Sequence, residues 1–203
     1  MPKKIAIVYY SMYGHIKSMA DKVAEGVKSA GCEVVMFQAP ETLPEEVLAK
    51  MGAPKKPDDP VLDYAETQKL PEYDGIMFGI PTRFGMMASQ MKAVFDSTGG
   101  LWQAGKLVGK PAATFVSTGT QNGGQETTHL TTVTQLAHHG MVYVPMGYTI
   151  GKHQFNNGEP HGGSPYGASC LAGADGSRQP SQMELEMAQH QGKSFAEFVN
   201  RLQ

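Results

Sequence analysis

The sequence predicts a doubly wound α/β fold: a five-stranded parallel sheet with two long loop insertions. Three observations carry this. Five short apolar runs are near-continuous rather than alternating, as expected of strands covered by helices on both faces. Helix-period patterns fall between them, the rhythm of an α/β chain. Two polar stretches rich in Pro and Gly interrupt that rhythm.

The strands are expected at Ile5–Tyr10, Glu33–Gln38, Gly75–Gly79, Ala112–Ser117 and Met141–Pro145. After the first, Ile16, Ala20, Val23, Val27 and Ala30 repeat at helical spacing, and Gly31 ends the helix. Met87, Met91, Val94 and Phe95 form a second helical face ahead of Gly99-Gly100. The last helix opens with the capping box Ser181-x-x-Glu184, and Leu185, Ala188, Phe195, Val199 and Leu202 make its core stripe. The first interruption, Glu41–Pro71, holds a short helix that Thr42-x-x-Glu45 would cap. The second, Thr149–Pro180, has little periodicity. Both lie inside the chain, where long loops close a pocket or pack against another subunit. No internal repeat is visible, and one domain over residues 1–203 is the expectation.

A chain of 203 residues can bury a core without disulfides or metals. A net charge of −2 argues against a nucleic-acid surface, which needs a concentrated basic patch. No apolar run reaches about 18 residues, so no transmembrane segment is expected. The chain enters a strand almost at once, without the longer apolar segment of a signal peptide, which points to a cytoplasmic protein. Cys32 and Cys170 are far apart and belong to no C-x-x-C pair, as suits a reducing compartment. His138 and His139 are adjacent rather than four apart, so no metal is expected.

Sheets of this class take ligands at the carboxyl ends of their strands, near the switch in strand order. Three unusual loops stand there. The first is Tyr10-Ser11-Met12-Tyr13-Gly14-His15-Ile16, where a strand breaks and a helix begins. Unpaired N–H groups at a helix start attract an anion, Ser11 adds a hydroxyl and Gly14 permits close approach. This is neither a G-x-x-x-x-G-K-[ST] nor a G-x-G-x-x-G loop, and an ordinary strand–turn–helix connection is the plain alternative. The second is Pro81-Thr82-Arg83-Phe84-Gly85-Met86-Met87, a mixture of hydroxyl, guanidinium and aromatic ring that suits a planar heteroaromatic ligand. A surface ion pair for Arg83 and a core place for Phe84 are equally open. The third, Ser117 to Glu126, follows a buried strand with hydroxyls and glycines. Trp102, the one tryptophan, is either a packing residue or a platform beside an aromatic ligand.

These residues resemble the WrbA family of flavodoxin-like NAD(P)H:quinone oxidoreductases. The markers are YYSMYGHI (Tyr9–Ile16), PETLPEE (Pro40–Glu46), PTRFGMM (Pro81–Met87), TGGLW (Thr98–Trp102), STGTQNGGQET (Ser117–Thr127), LAHHGM (Leu136–Met141), GGSPYGA (Gly162–Ala168) and DGSRQPS (Asp175–Ser181). They run in order over nearly the whole chain. The resemblance implies FMN, with Ser11, Met12, Tyr13, Gly14, His15 and Ile16 at its phosphate. It places Thr82, Arg83, Phe84 and Gly85 along the ring, and Ser117, Thr118, Gly119, Thr120, Gln121 and Asn122 as further contacts. Asn122 stands where many relatives have glycine. His138 would reach the flavin of a neighbouring subunit, Tyr13 would help bind NAD(P), and Trp102 would wall the quinone site. The family pattern further implies a homotetramer, a dimer of dimers, with NADH or NADPH as co-substrate and a part in oxidative-stress defence. No side chain is expected to act as an acid–base catalyst, because the hydride chemistry lies on FMN. Two rival readings are an electron carrier and a flavin-binding regulatory or scaffold protein.

Overall fold

The computed structural model describes residues 1–202. Five parallel lanes form the sheet. β1 (Lys4–Tyr9) lies between β2 (Glu33–Gln38) and β3 (Gly75–Arg83), and β5 (Pro111–Thr118) follows β3 on the other side. β4 (Met86–Met87) pairs antiparallel with the end of β3. The last lane is shared. β6 (Val142–Tyr143) pairs with Pro111 and Ala112 at one end of β5, and β7 (Ser169–Leu171) pairs with Val116, Ser117 and Thr118 at the other.

Alternate strand residues serve opposite faces. Ile5, Ile7, Tyr9, Met77, Ala113 and Phe115 pack with α1 (His15–Ser29) and α7 (Gln182–Arg201). Ala6, Val8, Tyr10, Ile76, Phe78, Ala112 and Val116 pack on the other face with Met91, Val94 and Phe95 of α4 (Ser89–Ser97) and Leu101 of α5 (Gly99–Gln103). Leu136 of α6 (Thr127–His138) joins them. Two apolar faces per strand explain the unbroken runs in the sequence. Gly31 takes φ +80° just after α1, as its end requires. The capping box on α7 is complete, with the Ser181 side chain accepting from Glu184 N–H and the Glu184 side chain from Ser181 N–H.

Five expectations need correction, the first being that Leu202 lies past the end of α7, exposed, rather than in its core stripe. The fifth strand is not Met141–Pro145: only Val142–Tyr143 pairs as strand, and Pro145, with no N–H to donate, begins the departure. The chain then returns as β7 to complete the lane, a return that three residues carry no periodicity to announce. β3 does not stop at Gly79 but runs through Pro81 to Arg83, paired with β5 as far as Pro81↔Ser117. Met87 therefore lies in a hairpin strand rather than on a helix. Thr42 caps nothing. Helix α2 (Glu45–Lys50) starts after Pro44, while Glu41 accepts the Thr42 and Leu43 N–H groups. The short helix α3 (Tyr64–Thr67) is capped by Asp63 instead.

α1 and α7 cross where Gly26 and Gly192 face the partner backbone. A Cβ on Gly26 would overlap the Gln189 carbonyl oxygen, and one on Gly192 the Val23 carbonyl. Gly26→Ala is therefore expected to destabilise the fold by about 2–3 kcal/mol through overpacking, read by urea denaturation. A change under about 0.5 kcal/mol would mean the helices separate freely.

Candidate functional site

The loops after β1, β3 and β5 converge at the carboxyl edge of the sheet. They enclose a cleft of about 100 Å³ lined by Ser11, Met12, Tyr13, His15, Ile16, Pro81, Thr82, Arg83, Ser117, Thr118 and Gly119. Ala172 and Gly176 close it from the second excursion.

The floor of the cleft is the start of α1. Gly14 holds φ +94° at the N-cap, and nothing lies within 4 Å of where its Cβ would be. Ser11 Oγ accepts the N–H groups of Gly14 at 3.1 Å and Lys17 at 3.3 Å. Its proton remains free to donate. His15 is 5% exposed, and its Nε2 lies 2.9 Å from the Arg178 carbonyl. A carbonyl only accepts, so the ring carries its proton on Nε2.

β3 and β4 form a hairpin whose turn is Phe84-Gly85, both at positive φ (54° and 77°). A bulky side chain is rarely found there. Phe84 stands fully exposed at the tip, 103% of reference. Arg83 donates to the Thr82 carbonyl at 2.8 Å and has no carboxylate partner among the described residues. The plain alternative, a surface ion pair for Arg83 and a core place for Phe84, is thus not seen among the described residues. The hairpin is braced to the third loop. Thr128 Oγ1 donates to Thr82 Oγ1 at 2.8 Å, and a Cβ on Gly124 would lie 3.0 Å from Gly85 Cα.

Within the third loop, Ser117, Thr118 and Gly119 line the cleft, but Thr120, Gln121 and Asn122 point away into solvent. Thr120 Oγ1 donates to Asn122 Oδ1 at 3.0 Å, which gives the loop tip an internal tie. Gln125, which the sequence does not single out, is the anchor. Its amide donates to Thr118 Oγ1 at 2.6 Å and accepts Gly163 N–H at 2.9 Å.

Beside the cleft opens a second cavity of about 1140 Å³, and Met12 and Arg83 line both. That exceeds the roughly 300–1,000 Å³ of an ordinary small-molecule site. Its walls are mainly apolar: Leu43, Met51, Phe84, Met86, Met87, Phe95 and Trp102, with His138 and His139 opposite. Trp102 is 58% exposed and Met86 57%. Neither is a core residue.

The first excursion is fastened by Glu41. Its carboxylate accepts from Tyr10 Oη at 2.8 Å, Lys56 Nζ at 2.8 Å and Gln90 Nε2 at 2.8 Å. Lys56 also donates to the Ser11 carbonyl at 3.2 Å and lies over the Tyr10 ring. Burial pushes the Glu41 pKa up, but the hydrogen bonds from Lys56, Gln90, Tyr10 and Leu43 N–H outweigh it and bring it to about 2. Tyr10, desolvated and bonded to that carboxylate, is raised. Tyr13 Oη reaches the Met51 carbonyl at 3.3 Å, so the same excursion touches the phosphate-type loop twice.

The sign of the linkage follows. Glu41 has a lower pKa folded than its ordinary 4.5, so its stabilisation is complete above 4.5 and lost as pH falls toward 2. Glu41→Gln is expected to cost about 2 kcal/mol at pH 7, a difference that shrinks between pH 4.5 and 2. Urea unfolding of both proteins at several pH values checks this. A gap that does not vary with pH would remove the charge from the explanation.

The family model described as NADPH-dependent FMN reductase matches residues 4–155. Quinone-oxidoreductase QR2 of Triphysaria versicolor is 58% identical over 203 residues, covering 100% of this chain and 98% of that protein. An NAD(P)H dehydrogenase (quinone) of Aromatoleum aromaticum is 53% identical over 201 residues, with 98% and 97% covered. Among solved structures, a flavodoxin, WrbA-like protein from Agrobacterium tumefaciens matches with TM-score 0.68 at 23% identity, covering 99% of each chain. That likeness is of fold.

Proposed function

The chain belongs to the NADPH-dependent FMN reductase family, and we propose that it binds FMN and reduces quinones to hydroquinones with NADH or NADPH. One observation carries the reading. An anion cradle at a helix start runs, through Arg83 and Met12, directly into an apolar cavity wide enough for a flat substrate. The relatives named as quinone oxidoreductases, matched from end to end, support it.

The residues fit the cofactor. The open space before Gly14 and the Ser11 hydroxyl suit a phosphate, which needs donors and no bulk. Thr82 and Ser117 offer hydroxyls along the cleft, while the Thr118 hydroxyl is already committed to the Thr120 carbonyl, and the Arg83 guanidinium, with no carboxylate partner among the described residues, stands where negative charge on a ring edge would be stabilised. FMN, when bound, supplies a two-electron relay between nicotinamide and quinone. The protein's part is to bind, orient and shield. In balance, NAD(P)H would supply two electrons and one proton as hydride, solvent would supply the second proton, and the quinone would leave as hydroquinone. One cavity serving both substrates in turn predicts ping-pong kinetics.

Exposed Phe84, Met86 and Trp102 around that cavity support a further part of the proposal: a homotetramer in which a second copy covers the site and brings His138 toward the flavin. Tyr13, in the cleft wall, would assist NAD(P), and Gln121 and Asn122 would close on FMN from the loop tip. Among the described residues no helix is long and apolar enough to cross a membrane. A cytoplasmic place is part of the same proposal.

Ser11→Ala is expected to weaken FMN binding by about 1.5–3 kcal/mol, roughly 10- to 150-fold, with the fold intact. Calorimetric titration of the FMN-free protein reads this, and an unchanged affinity would remove Ser11 from the site. Initial rates across a grid of NADH and benzoquinone concentrations are expected to give parallel double-reciprocal lines. Intersecting lines would require both substrates bound together.

A further inference from the structure

The two walls of the large cavity meet at one buried hydrogen bond. His139, just after α6, is 4% exposed, and its Nε2 lies 2.8 Å from Thr98 Oγ1. Thr98 stands between α4 and α5 and is itself buried. Its single hydroxyl proton is already directed to the Phe95 carbonyl at 2.6 Å. Thr98 must therefore accept from His139, which fixes the imidazole with its proton on Nε2. Nδ1 is left as a bare acceptor, buried and with no hydrogen-bond partner among the described residues.

Such an atom works against folding, because it has lost water and gained nothing. Burial, and then the neighbouring His138, push the imidazole pKa down, so the ring stays neutral and no charge compensates. A leucine would fill similar space without that penalty. What the imidazole provides, and leucine cannot, is a donor for Thr98. The Thr98 carbonyl in turn accepts the Trp102 N–H at 2.9 Å. α5 is a single turn of five residues that opens with two glycines and buries Leu101 alone, too little to hold its own orientation. Trp102 thus takes its position on one wall from Thr98, and Thr98 takes its own from His139. His138, one residue earlier, stands on the facing wall.

We propose that His139 is a positioning residue for the quinone site: by clamping Thr98 it sets the position of Trp102 on the cavity wall. This rests on the quinone-reductase reading above, and His139 itself exchanges no proton or electron with the substrate.

His139→Leu and Thr98→Val break the same bond from its two sides, while Thr98→Ser keeps the hydroxyl. In the FMN-loaded protein, His139→Leu is expected to keep or raise the thermal midpoint, because the orphaned nitrogen is gone. It is also expected to raise the KM for a naphthoquinone about tenfold while kcat changes by less than about twofold. Trp102, the one tryptophan of the chain, becomes more accessible to acrylamide quenching. Thr98→Val should match the KM and quenching changes, with a lower thermal midpoint because both ring nitrogens of His139 are then unpaired, and Thr98→Ser should match the parent. The double variant should be no worse than either single, since both act through one contact. Parental KM and quenching in His139→Leu or Thr98→Val would overturn the proposal, as would effects that add in the double variant. Should His139→Leu fail to fold, the Thr98 pair decides alone. A parent that turns over no quinone would sink the functional reading instead, and the quenching data would still decide the clamp.

Discussion

Glu184 is fully buried, and both of its oxygens are doubly engaged. One accepts the N–H groups of Gly162 and Leu171, the other that of Ser181 and the Arg178 guanidinium. A buried carboxylate is tolerable only when so completely satisfied. Its partners are Ser181 at the N-cap of α7, Leu171 of β7, and Gly162 and Arg178 on either side of that strand, so one side chain gathers segments that share no continuous secondary structure. Arg178, held there, presents its carbonyl to His15 beneath the cleft. The geometry of the phosphate-type loop therefore depends on a group that never touches a ligand.

The first excursion is held by an analogous device with different chemistry. Glu41 is partly exposed and pairs with Lys56, so its contribution is open to salt, whereas Glu184 is buried and adds three backbone N–H groups to its Arg178 pair. The two carboxylates fasten the two insertions to opposite sides of the same sheet edge. Between them the parallel sheet supplies rigid strand ends. The insertions supply the walls that convert a shallow crevice into a cleft and a cavity. An exposed, strained Phe84 and a half-exposed Trp102 persist at the rim, where the surrounding structure over-determines them.

Much of this was legible in the sequence, for reasons that differ by element. The core strands and α1 are written in unbroken apolar runs and a 3.6-residue stripe because both sheet faces are buried. The α7 capping box is legible because hydroxyl and carboxylate at fixed spacing have one efficient use. The meeting of three loops in one cleft is legible because the parallel strands they follow all end at one edge of the sheet. What was not legible depends on contacts distant in sequence. β7 is three residues long and is defined by its partner. The β3–β4 hairpin turns at Phe84, a residue that local preference would not place there. Gln125, Glu184 and His139 reveal their roles only when the groups they join are brought together. Thr42 misled because Pro44 has no N–H to give a cap there and starts α2 later, while Glu41 takes the Thr42 and Leu43 N–H groups.

The reading of one continuous site, anion cradle and apolar cavity together, stands or falls on whether both substrates exchange electrons through one bound cofactor. The direct measurement is the absorbance spectrum of the FMN-loaded protein, held without oxygen, on addition of NADH and then of benzoquinone. The flavin band should bleach with NADH and return in full with the quinone, each within the time of turnover. A bound flavin that stays oxidised in excess NADH, or that benzoquinone cannot restore, would contradict it.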